Sequence, residues 1–575
     1  SIVLLSIQAV SELAKCEQKR ETYAQIEIIK PILNILSKDL CMDKFDLVKQ
    51  SLRALGNLCC DCDTSRNIVL QNDGVLILNT LLGNTIVNIA FDELKILICK
   101  ALMNFAIGGK EFSNSLEKFT IEHVKKILLS ELIKEDMNDD LISTVLLILS
   151  VINDNAPEFL FADDVNLTVL NVLKETTNVD ISELALEHLH SQVREHDSVK
   201  TLLAREGGVQ LVCSRLEQLI QRHEVGDLNA DGSQVEVIVK QACYLIILIL
   251  TGDGVGEVYL TMVKWLDSPN HHLLGTALLA IGNFARQDEY CIQMMTDKIF
   301  DKLLVLCKLC NEKDTIPIDK STLNQIQHAA LSAVRNLSVP VVNKRLASAQ
   351  GKAAPLLLKA LPSVEDHHVA YKLMAALRML VDGQESVARL TISDRAALEA
   401  IARWGGAGQH AGAAGEAPRL LAWSVRHVNA RAGLIQLIYW FEFQAKGCLQ
   451  NIVDMLIAPH SVMQNEAILA LTLLAIEILN EDPREAFVDQ LLAAEIGKHI
   501  SVLMETNCAK IPVEVAENLL AFLDVTSKCP KILTDYRLTK VNNALEKLVE
   551  ARNDFSGELK LCANEIVRKI AESED

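Results

Sequence analysis

Aromatic residues and proline are scarce in this chain of 575 residues. Only 4% of the residues are Phe, Trp or Tyr and 12 are Pro, although half of the chain is hydrophobic. Sheet proteins use aromatic and β-branched residues in their strands, and Gly and Pro in their turns. The composition therefore argues against a β-sandwich or an α/β enzyme and favours a long all-helical chain.

Basic residues and long apolar runs are also in short supply. The chain has 56 Lys and Arg against 75 Asp and Glu, so its formal net charge is −19. An acidic surface repels phosphate backbones and anionic lipid. No apolar run reaches the 18 or so residues that a membrane span requires. We therefore expect no nucleic-acid partner and no direct membrane insertion, whereas a basic partner suits the charge.

Motifs for catalysis, metal binding and disulfide formation are missing from the sequence. The 15 cysteines follow no framework spacing, and Cys307 and Cys310 form a CxxC without the second pair that a zinc site requires. Walker A, HExxH and GxSxG patterns do not occur. We therefore expect reduced thiols, a cytoplasmic location, no cofactor, no metal and no catalytic residues.

A repeated helical pattern is what the chain does contain. Small or apolar residues recur at i, i+3, i+4 and i+7, with Asn57, Asn104, Asn283 or Asn336 at i+6. The first two Asn lie 47 residues apart and the last two 53. Such periods, rich in Leu and Ala, are typical of armadillo and HEAT repeats, which stack because one unit cannot bury its apolar face alone. The pattern predicts an all-α, armadillo/HEAT-like, right-handed superhelical solenoid.

The predicted solenoid is continuous and has two parts, residues 1–230 and residues 231–575. Polar or Gly-rich composition predicts loops at Asn311–Gln325 and Gly405–Gly415. Between Glu131 and His190 there are 13 acidic residues and two Lys. Stacking of repeats would gather five of these carboxylates into one electronegative patch that attracts a cationic ligand. A set of solvated helix faces remains the alternative. The five are Asp139, Asp140, Asp180, Glu183 and Glu187.

Polar residues form a stripe along the predicted helix that carries Asn336. His328, Ser332, Arg335 and Asn336 follow one another at helical spacing. An Asn amide offers two donors and one acceptor, which suits binding the backbone of an extended segment. The alternative is that each Asn satisfies carbonyl groups within its own repeat.

Several sequence segments resemble the Smg GDS family of small-GTPase exchange factors and chaperones. These are AIGNFAR at 280–286, QHAALSAVRNL at 327–337, LRMLVD at 377–382 and MQNEA at 463–467. The resemblance is strongest between Trp265 and Ile478. It implies binding of Rho, Rac, Rap or Ras type GTPases with basic, prenylated tails, preference for their nucleotide-free form, and escort through the cytosol. It implies a regulatory role without bond chemistry. It also implies that the chain reaches mitochondria or the endoplasmic reticulum only through its partner.

The resemblance implies that Asn336 lies at a position that binds the GTPase, with Asn283 and Arg286 one repeat earlier on the same surface. It also gives the acidic patch described above a ligand, the basic tail. The C-terminal repeats would hold the GTPase body, and the N-terminal repeats would take the tail and its prenyl group. The GTPase-binding positions would be Asn283, Arg286, His328, Ser332, Arg335, Asn336, Arg378, Gln464 and Asn465. The tail-binding positions would be Asp139, Asp140, Asp180, Glu183, Glu187, Asn57 and Asn104.

Three alternatives stay open. A mitochondrial Rho-type GTPase without a prenylated tail is one possible partner. An importin-α-like adaptor for basic peptides is a second reading, although such grooves place Trp four residues before each Asn, where this chain has Arg53, Lys100, Leu279 and Ser332. An armadillo scaffold without exchange activity is the third.

Overall fold

The structure is a computed structural model, and all of its regular elements in the described residues are helical. The 34 α-helices there are joined by short turns and by three 3₁₀ segments, Ile89–Phe91, Leu361–Ser363 and Met455–Ile457. The described residues are 2–38, 40–41, 44–86, 89–116, 119–228, 231–250, 256–311, 318–428, 447–479, 484–507 and 510–572.

The chain divides into two compact units, Ser1–Thr261 and Met262–Asp575. The division predicted at residue 230 therefore falls inside the first unit. The dividing residues belong to the helix Gly256–Trp265. The other described helices of the first unit are Ile2–Ala14, Glu17–Tyr23, Ile26–Leu36, Phe45–Cys59, Asp63–Gln71, Gly74–Thr85, Asp92–Ala106, Lys110–Asn114, Thr120–Leu132, Asp139–Asn155, Asp163–Glu175, Val179–Glu195, Asp197–Arg205, Gly208–Glu224 and Gly232–Ile249.

The second unit repeats the same organisation of short and long helices. Its described helices are His271–Phe284, Asp288–Thr296, Ile299–Asn311, Lys320–Leu337, Val341–Gln350, Ala353–Ala360, His367–Val381, Glu385–Ser393, Arg395–Gly405, Ala411–His427, Cys448–Asp454, Ser461–Ile478, Arg484–Ala493, Ile496–Asn507, Val513–Thr526, Pro530–Leu538, Val541–Ala551 and Gly557–Ala571.

Roughly every third helix belongs to one continuous packed row within each unit, and we call the members of these rows ladder helices. Each contacts the ladder helix before it and the one after it in its unit, which confirms the prediction of stacked helical repeats. In the first unit they are Ile2–Ala14, Phe45–Cys59, Asp92–Ala106, Asp139–Asn155, Val179–Glu195 and Gly232–Ile249. In the second they are His271–Phe284, Lys320–Leu337, His367–Val381, Ala411–His427, Ser461–Ile478, Val513–Thr526 and Gly557–Ala571.

Small residues allow consecutive ladder helices to pack closely. A Cβ atom added at Gly56 would lie 3.6 Å from the Cα atom of Ala101, and one added at Gly282 would lie 4.0 Å from that of Ala333. Ala101 and Ala333 belong to the pattern that recurs along the sequence, and Gly56 and Gly282 directly precede its Asn residues. Its small positions therefore mark backbone contact between repeats, and larger side chains there would push the helices apart.

Both predicted loops are partly wrong, because helices begin inside them. The helix Lys320–Leu337 starts early because the Asp319 carboxylate accepts hydrogen bonds from the backbone N–H and the hydroxyl of Thr322, at 3.0 and 2.6 Å. The helix Ala411–His427 includes glycines that the composition favoured as a connection. A Cβ at Gly412 would lie 3.7 Å from the Tyr371 ring, so the glycine makes room for the neighbouring ladder helix.

Two ladder helices are long and apolar enough to cross a membrane by length and composition alone. In Gly232–Ile249 and Ser461–Ile478, 44% and 50% of the apolar stretch is buried inside the protein. Each packs against other helices of its own unit. Their apolar character therefore has a packing explanation in the ladder row.

A buried polar network joins three helices of the first unit around His188. The Nδ1 atom of His188 accepts from the Asn153 amide, and its Nε2–H donates to the Asn166 carbonyl oxygen, both at 3.1 Å. The Gln192 amide donates to Asn153 at 3.0 Å and to the Phe159 backbone carbonyl at 2.9 Å. Because both ring nitrogens are satisfied in the neutral form, burial lowers the pKa of His188 to about 3.

The His188 network predicts a loss of stability in mild acid. The imidazole takes up a proton below about pH 6.5 in the unfolded chain but only near pH 3 when folded, so acid favours unfolding. We expect the unfolding free energy of the first unit to fall by about 1 kcal/mol per pH unit below pH 6.5 from this group. The measurement is urea unfolding between pH 7.5 and 5.5, compared with His188→Gln. An identical pH dependence in the two proteins would contradict the assignment.

Candidate functional site

Three of the four repeated Asn side chains cap the preceding ladder helix. Asn57 donates to the Ser11 carbonyl at 3.0 Å, Asn104 donates to the Gly56 carbonyl at 3.0 Å, and Asn336 donates to the Gly282 carbonyl at 2.9 Å. Each acceptor lies among the last four residues of its helix, whose carbonyl groups have no partner inside the helix. The amides therefore bridge neighbouring repeats, whereas the sequence offered binding of a ligand or capping within one repeat.

Asn155 is a further member of this set that the sequence pattern missed. Its amide donates to the Ala106 carbonyl and to the Ser113 hydroxyl, both at 2.9 Å. Ala106 is the last residue of its ladder helix. The spacing of 51 residues from Asn104 was the available signal, but the flanking residues of Asn155 do not follow the small-residue pattern.

The predicted stripe around Asn336 carries positive charge. The Asn336 carbonyl oxygen accepts from Arg335 at 2.9 Å, and one repeat earlier the Asn283 oxygen accepts from Arg286 at 3.0 Å. Arg335 is half-buried and Arg286 is exposed. In the part of the chain that is described, neither guanidinium forms an ion pair. The stripe can therefore attract carboxylates or carbonyl groups of a partner.

His328 and Ser332 complete the stripe, and Lys372 on the next ladder helix adds to it. Burial, together with the charges of Lys372 and His368, lowers the pKa of His328, so its ring is neutral at pH 7. Burial and the charge of Arg335 lower the pKa of Lys372. The Ser332 hydroxyl is buried without a hydrogen-bond partner. The stripe thus combines an unsatisfied hydroxyl with uncompensated cations.

Arg378 and Gln464, both predicted to bind a partner, lie inside the protein. Arg378 is 5% exposed, forms an ion pair with Glu416, and stacks on the Trp423 ring at 4.8 Å. Gln464 is 4% exposed and donates to the Ala458 carbonyl at 2.7 Å. Their folded positions give them structural contacts in place of the predicted surface role.

The Arg378 ion pair is the first link of a chain of alternating charges. Glu416 also lies 3.5 Å from Arg419, which binds both oxygens of Glu466 at 2.7 and 2.8 Å. These residues span three consecutive ladder helices. A bidentate Arg–carboxylate pair fixes geometry as well as charge, so the chain holds these helices in register. The partners are 38 to 47 residues apart in the sequence, and only the folded chain shows their pairing.

Asn465, the remaining predicted contact in this region, is half-buried between ladder helices. Its amide donates to Glu514 at 3.3 Å, and its carbonyl oxygen accepts from Asn518 at 2.8 Å. Asn465 thus continues the same row of polar contacts from one repeat to the next.

The predicted acidic residues lie on neighbouring ladder helices of the first unit. Asp139 accepts a hydrogen bond from Asn178 at 2.8 Å, and Asp180 accepts one from Gln234 at 2.6 Å. Burial, with the nearby charges of Asp154 and Glu183, raises the pKa of Glu187. Asp154 and Glu183 are therefore close enough to Glu187 to act on its charge.

The acidic row has no cations of its own. Across the described ranges none of its carboxylates forms an ion pair. Asp154, which the sequence reasoning did not single out, belongs to the row because it faces Glu187 electrostatically. The acidic row thus comprises Asp139, Asp140, Asp154, Asp180, Glu183 and Glu187.

Comparison with known proteins assigns the family. No protein-family model matches the chain. The "GTPase-GDP dissociation stimulator vimar" of Drosophila melanogaster is 30% identical over an alignment of 583 residues, gaps included. The alignment covers 94% of this chain and 88% of that protein. The chain belongs to the Smg GDS family of GTPase-GDP dissociation stimulators. "Rap1 GTPase-GDP dissociation stimulator 1-B" and "1-A" of Xenopus laevis are each 30% identical over 545 residues, covering 90% of this chain and 84% of theirs.

Among solved structures, one chain from "A conserved phosphorylation switch controls the interaction between cadherin and beta-catenin in vitro and in vivo" covers all of this family member. It is 11% identical, 97% of it is covered, and its TM-score is 0.49.

Removal of an Asn cap should weaken this Smg GDS family member. Asn104→Ala leaves the Gly56 carbonyl without its side-chain donor, so we expect the unfolding free energy to fall by about 1 to 2 kcal/mol. The measurement is urea unfolding. Asn171→Ala, an exposed Asn in the helix Asp163–Glu175, is the control and should change it by less than about 0.5 kcal/mol. Equal effects of the two substitutions would refute the capping role.

The buried ion pair makes a second prediction. Glu416→Gln leaves the Arg378 guanidinium buried without its counter-charge, at an expected cost of about 3 to 5 kcal/mol of unfolding free energy. Glu399→Gln breaks an exposed pair with Arg395 and should cost less than about 1 kcal/mol. The double substitution Arg378→Met with Glu416→Leu should recover most of the loss in a urea unfolding series. Failure of Glu416→Gln to exceed the control would contradict the buried network.

Proposed function

We propose that this chain stimulates GDP release from a small GTPase of the Ras/Rho superfamily by binding its nucleotide-free form in preference to the loaded form. The observation that carries the proposal is the similarity to the Drosophila GTPase-GDP dissociation stimulator, which covers 94% of this chain and 88% of that protein. A match of that extent includes the ladder row of both units, so the resemblance is not limited to a single repeat.

Nucleotide release by such a protein requires no bond chemistry. A ligand shifts an equilibrium only by its differential affinity for the two states. The chain must therefore bind the empty GTPase more tightly than the GDP-bound one, and about 1.4 kcal/mol of difference gives each tenfold shift. The polar edges of the ladder helices are the groups that we assign to this task.

The acidic row of the first unit supports binding of a basic GTPase tail. Its carboxylates lie on adjacent ladder helices and carry no ion pairs in the described residues. Gathered carboxylates focus the electric field and raise the association rate of a cationic segment. Burial is the main cause of the raised pKa of Glu187, and a basic tail would offset the further contribution from the charges of Asp154 and Glu183.

The cationic stripe of the second unit supports contact with the GTPase body. The side-chain oxygens of Asn336 and Asn283 each accept a hydrogen bond from an arginine. The guanidinium groups of Arg335 and Arg286 have further N–H donors that can bind a partner. We propose that the stripe contacts the switch segment of the GTPase, which otherwise holds magnesium and phosphate.

We further propose that the chain binds a prenyl group on the GTPase tail and escorts the lipidated GTPase. The first unit has a cavity of about 40 Å³ whose wall is mostly aliphatic, with Leu173, Leu186 and Ile238 among its residues, and also includes Arg215 and Arg222. An isoprenoid exceeds that volume, so its entry requires the surrounding helices to separate.

Nucleotide-state pull-down and GDP-release kinetics test the proposal. Purified chain should retain a nucleotide-free GTPase carrying a basic tail and release the GDP- and GTP-loaded forms. Asn336→Ala should reduce stimulated GDP release, whereas Asn104→Ala removes an equivalent cap in the first unit and should leave the rate unchanged. Equal retention of all nucleotide states would instead indicate a scaffold or adaptor without exchange activity.

The acidic row generates a separate prediction. Charge reversal at Asp180, Glu183 and Glu187 to Lys should weaken binding of the tailed GTPase at least tenfold at low salt, because it replaces attraction by repulsion. The affinity for the same GTPase without its tail should not change. Fluorescence anisotropy measures both. A tail-independent loss would show that the row supports the fold or contacts the GTPase body.

A further inference from the structure

One ridge of the second unit differs in charge from the rest of the chain. Residues 339–359 contain Lys344, Arg345, Lys352 and Lys359 and no acidic residue, in a chain of net charge −19. The same ridge exposes aliphatic side chains: Val341 is 57% exposed and Leu346 is 46% exposed. The ridge consists of Val341–Gln350 and Ala353–Ala360, which are not ladder helices.

An open pocket of about 100 Å³ lies beside this ridge, where the helix Glu385–Ser393 follows it. Its wall includes Ala347, Pro355, Val387 and Leu390, so it is apolar. For comparison, a cavity of about 150 Å³ lined by aliphatic and aromatic residues binds benzene. The pocket therefore has the size and polarity for one aliphatic or aromatic side chain.

Unpaired cations flank the pocket. Arg345 precedes the pocket residue Ser348 by three positions, so the two lie on the same side of the helix, and Lys352 lies between the pocket residues Gly351 and Ala353. Neither forms an ion pair in the residues that the structure covers. By contrast, Lys344 is paired with Asp382, and Arg389 is paired with Glu385. The carboxylates that are close to the rim are thus already neutralised by other residues.

We propose that this pocket docks an acidic protein segment that inserts one aliphatic or aromatic side chain. The apolar wall takes the anchor residue, and Arg345 with Lys352 attracts carboxylates on either side of it. A membrane surface fits less well, because lipid binding needs no concave pocket of side-chain size and the chain as a whole is acidic. The pocket is formed mainly by helices outside the ladder row, and Leu380 is the residue that the ladder helix His367–Val381 contributes to it. It therefore adds a second partner to the proposed GTPase.

Three fluorescein-labelled 12-residue peptides test the proposal with the full chain. One has a central Leu between Asp and Glu residues, the second replaces that Leu by Ala, and the third replaces the acidic residues by Lys. The acidic Leu peptide should bind at least tenfold more tightly than the other two in fluorescence anisotropy. Equal binding of the Leu and Ala peptides, or no binding of the acidic Leu peptide, would overturn the proposal.

Variants locate the site. Arg345→Glu with Lys352→Glu should weaken the acidic Leu peptide about tenfold or more, as should Ser386→Trp, which fills the pocket from its edge. Lys359→Glu reverses one charge of the same ridge away from the pocket wall, and it is the matched control for each of the single substitutions Arg345→Glu and Lys352→Glu. Thermal unfolding of each variant shows whether it is folded, and the two exposed charge reversals remain decisive if Ser386→Trp is not.

A vesicle experiment tests whether the ridge binds a lipid surface instead of an acidic peptide. Sedimentation with phosphatidylserine vesicles should show no binding that depends on Arg345 and Lys352. Vesicle binding lost in the Arg345→Glu, Lys352→Glu variant but kept in Lys359→Glu would assign the ridge to a lipid surface and overturn the peptide proposal. GDP release should be unchanged in all of these variants, so failure here leaves the proposed exchange function standing.

Discussion

The hydrogen bond from an Asn side chain to the last turn of the preceding ladder helix is the interaction on which the rest of this structure depends. A carbonyl group at a helix end has no partner within the helix, and here the next repeat supplies one. The bond works only at close approach, which the glycine and alanine positions permit. One such bond contributes about 1 kcal/mol, and in the described residues it joins ladder helices through Asn57, Asn104, Asn155 and Asn336. These bonds lie along the polar edges of the ladder helices.

These polar edges carry opposite charge in the two units. In the first unit the carboxylates of the acidic row form no ion pair in the described residues, and in the second the guanidinium groups of Arg335 and Arg286 form none there. Beyond the stripe, the alternating charges of Arg378, Glu416, Arg419 and Glu466 pair with one another and hold three ladder helices together. A protein that acts by differential binding needs both properties: unpaired charge where the partner binds, and a frame that does not adapt to the wrong state.

The repeat architecture could be predicted from the sequence because its cause is local. The small residues and Asn at fixed offsets on one helix face are the ones that make the contact between repeats. The failures have a different origin. Arg378 and Gln464 looked like surface residues because their partners, Glu416 and the Ala458 carbonyl, are set by the folded chain. Asn155 was missed because it caps a ladder helix although the residues around it do not match the repeated pattern. Gly412 suggested a loop, but it makes room for a neighbouring helix.

Hydrogen–deuterium exchange of the chain with a nucleotide-free small GTPase bearing a basic tail tests the central claim most directly. If the polar edges of the ladder rows bind the partner, protection should concentrate in Val179–Glu195 and Lys320–Leu337 and should weaken when GDP is added. Protection confined to helices outside the rows, such as Asp197–Arg205 and Glu385–Ser393, would contradict it.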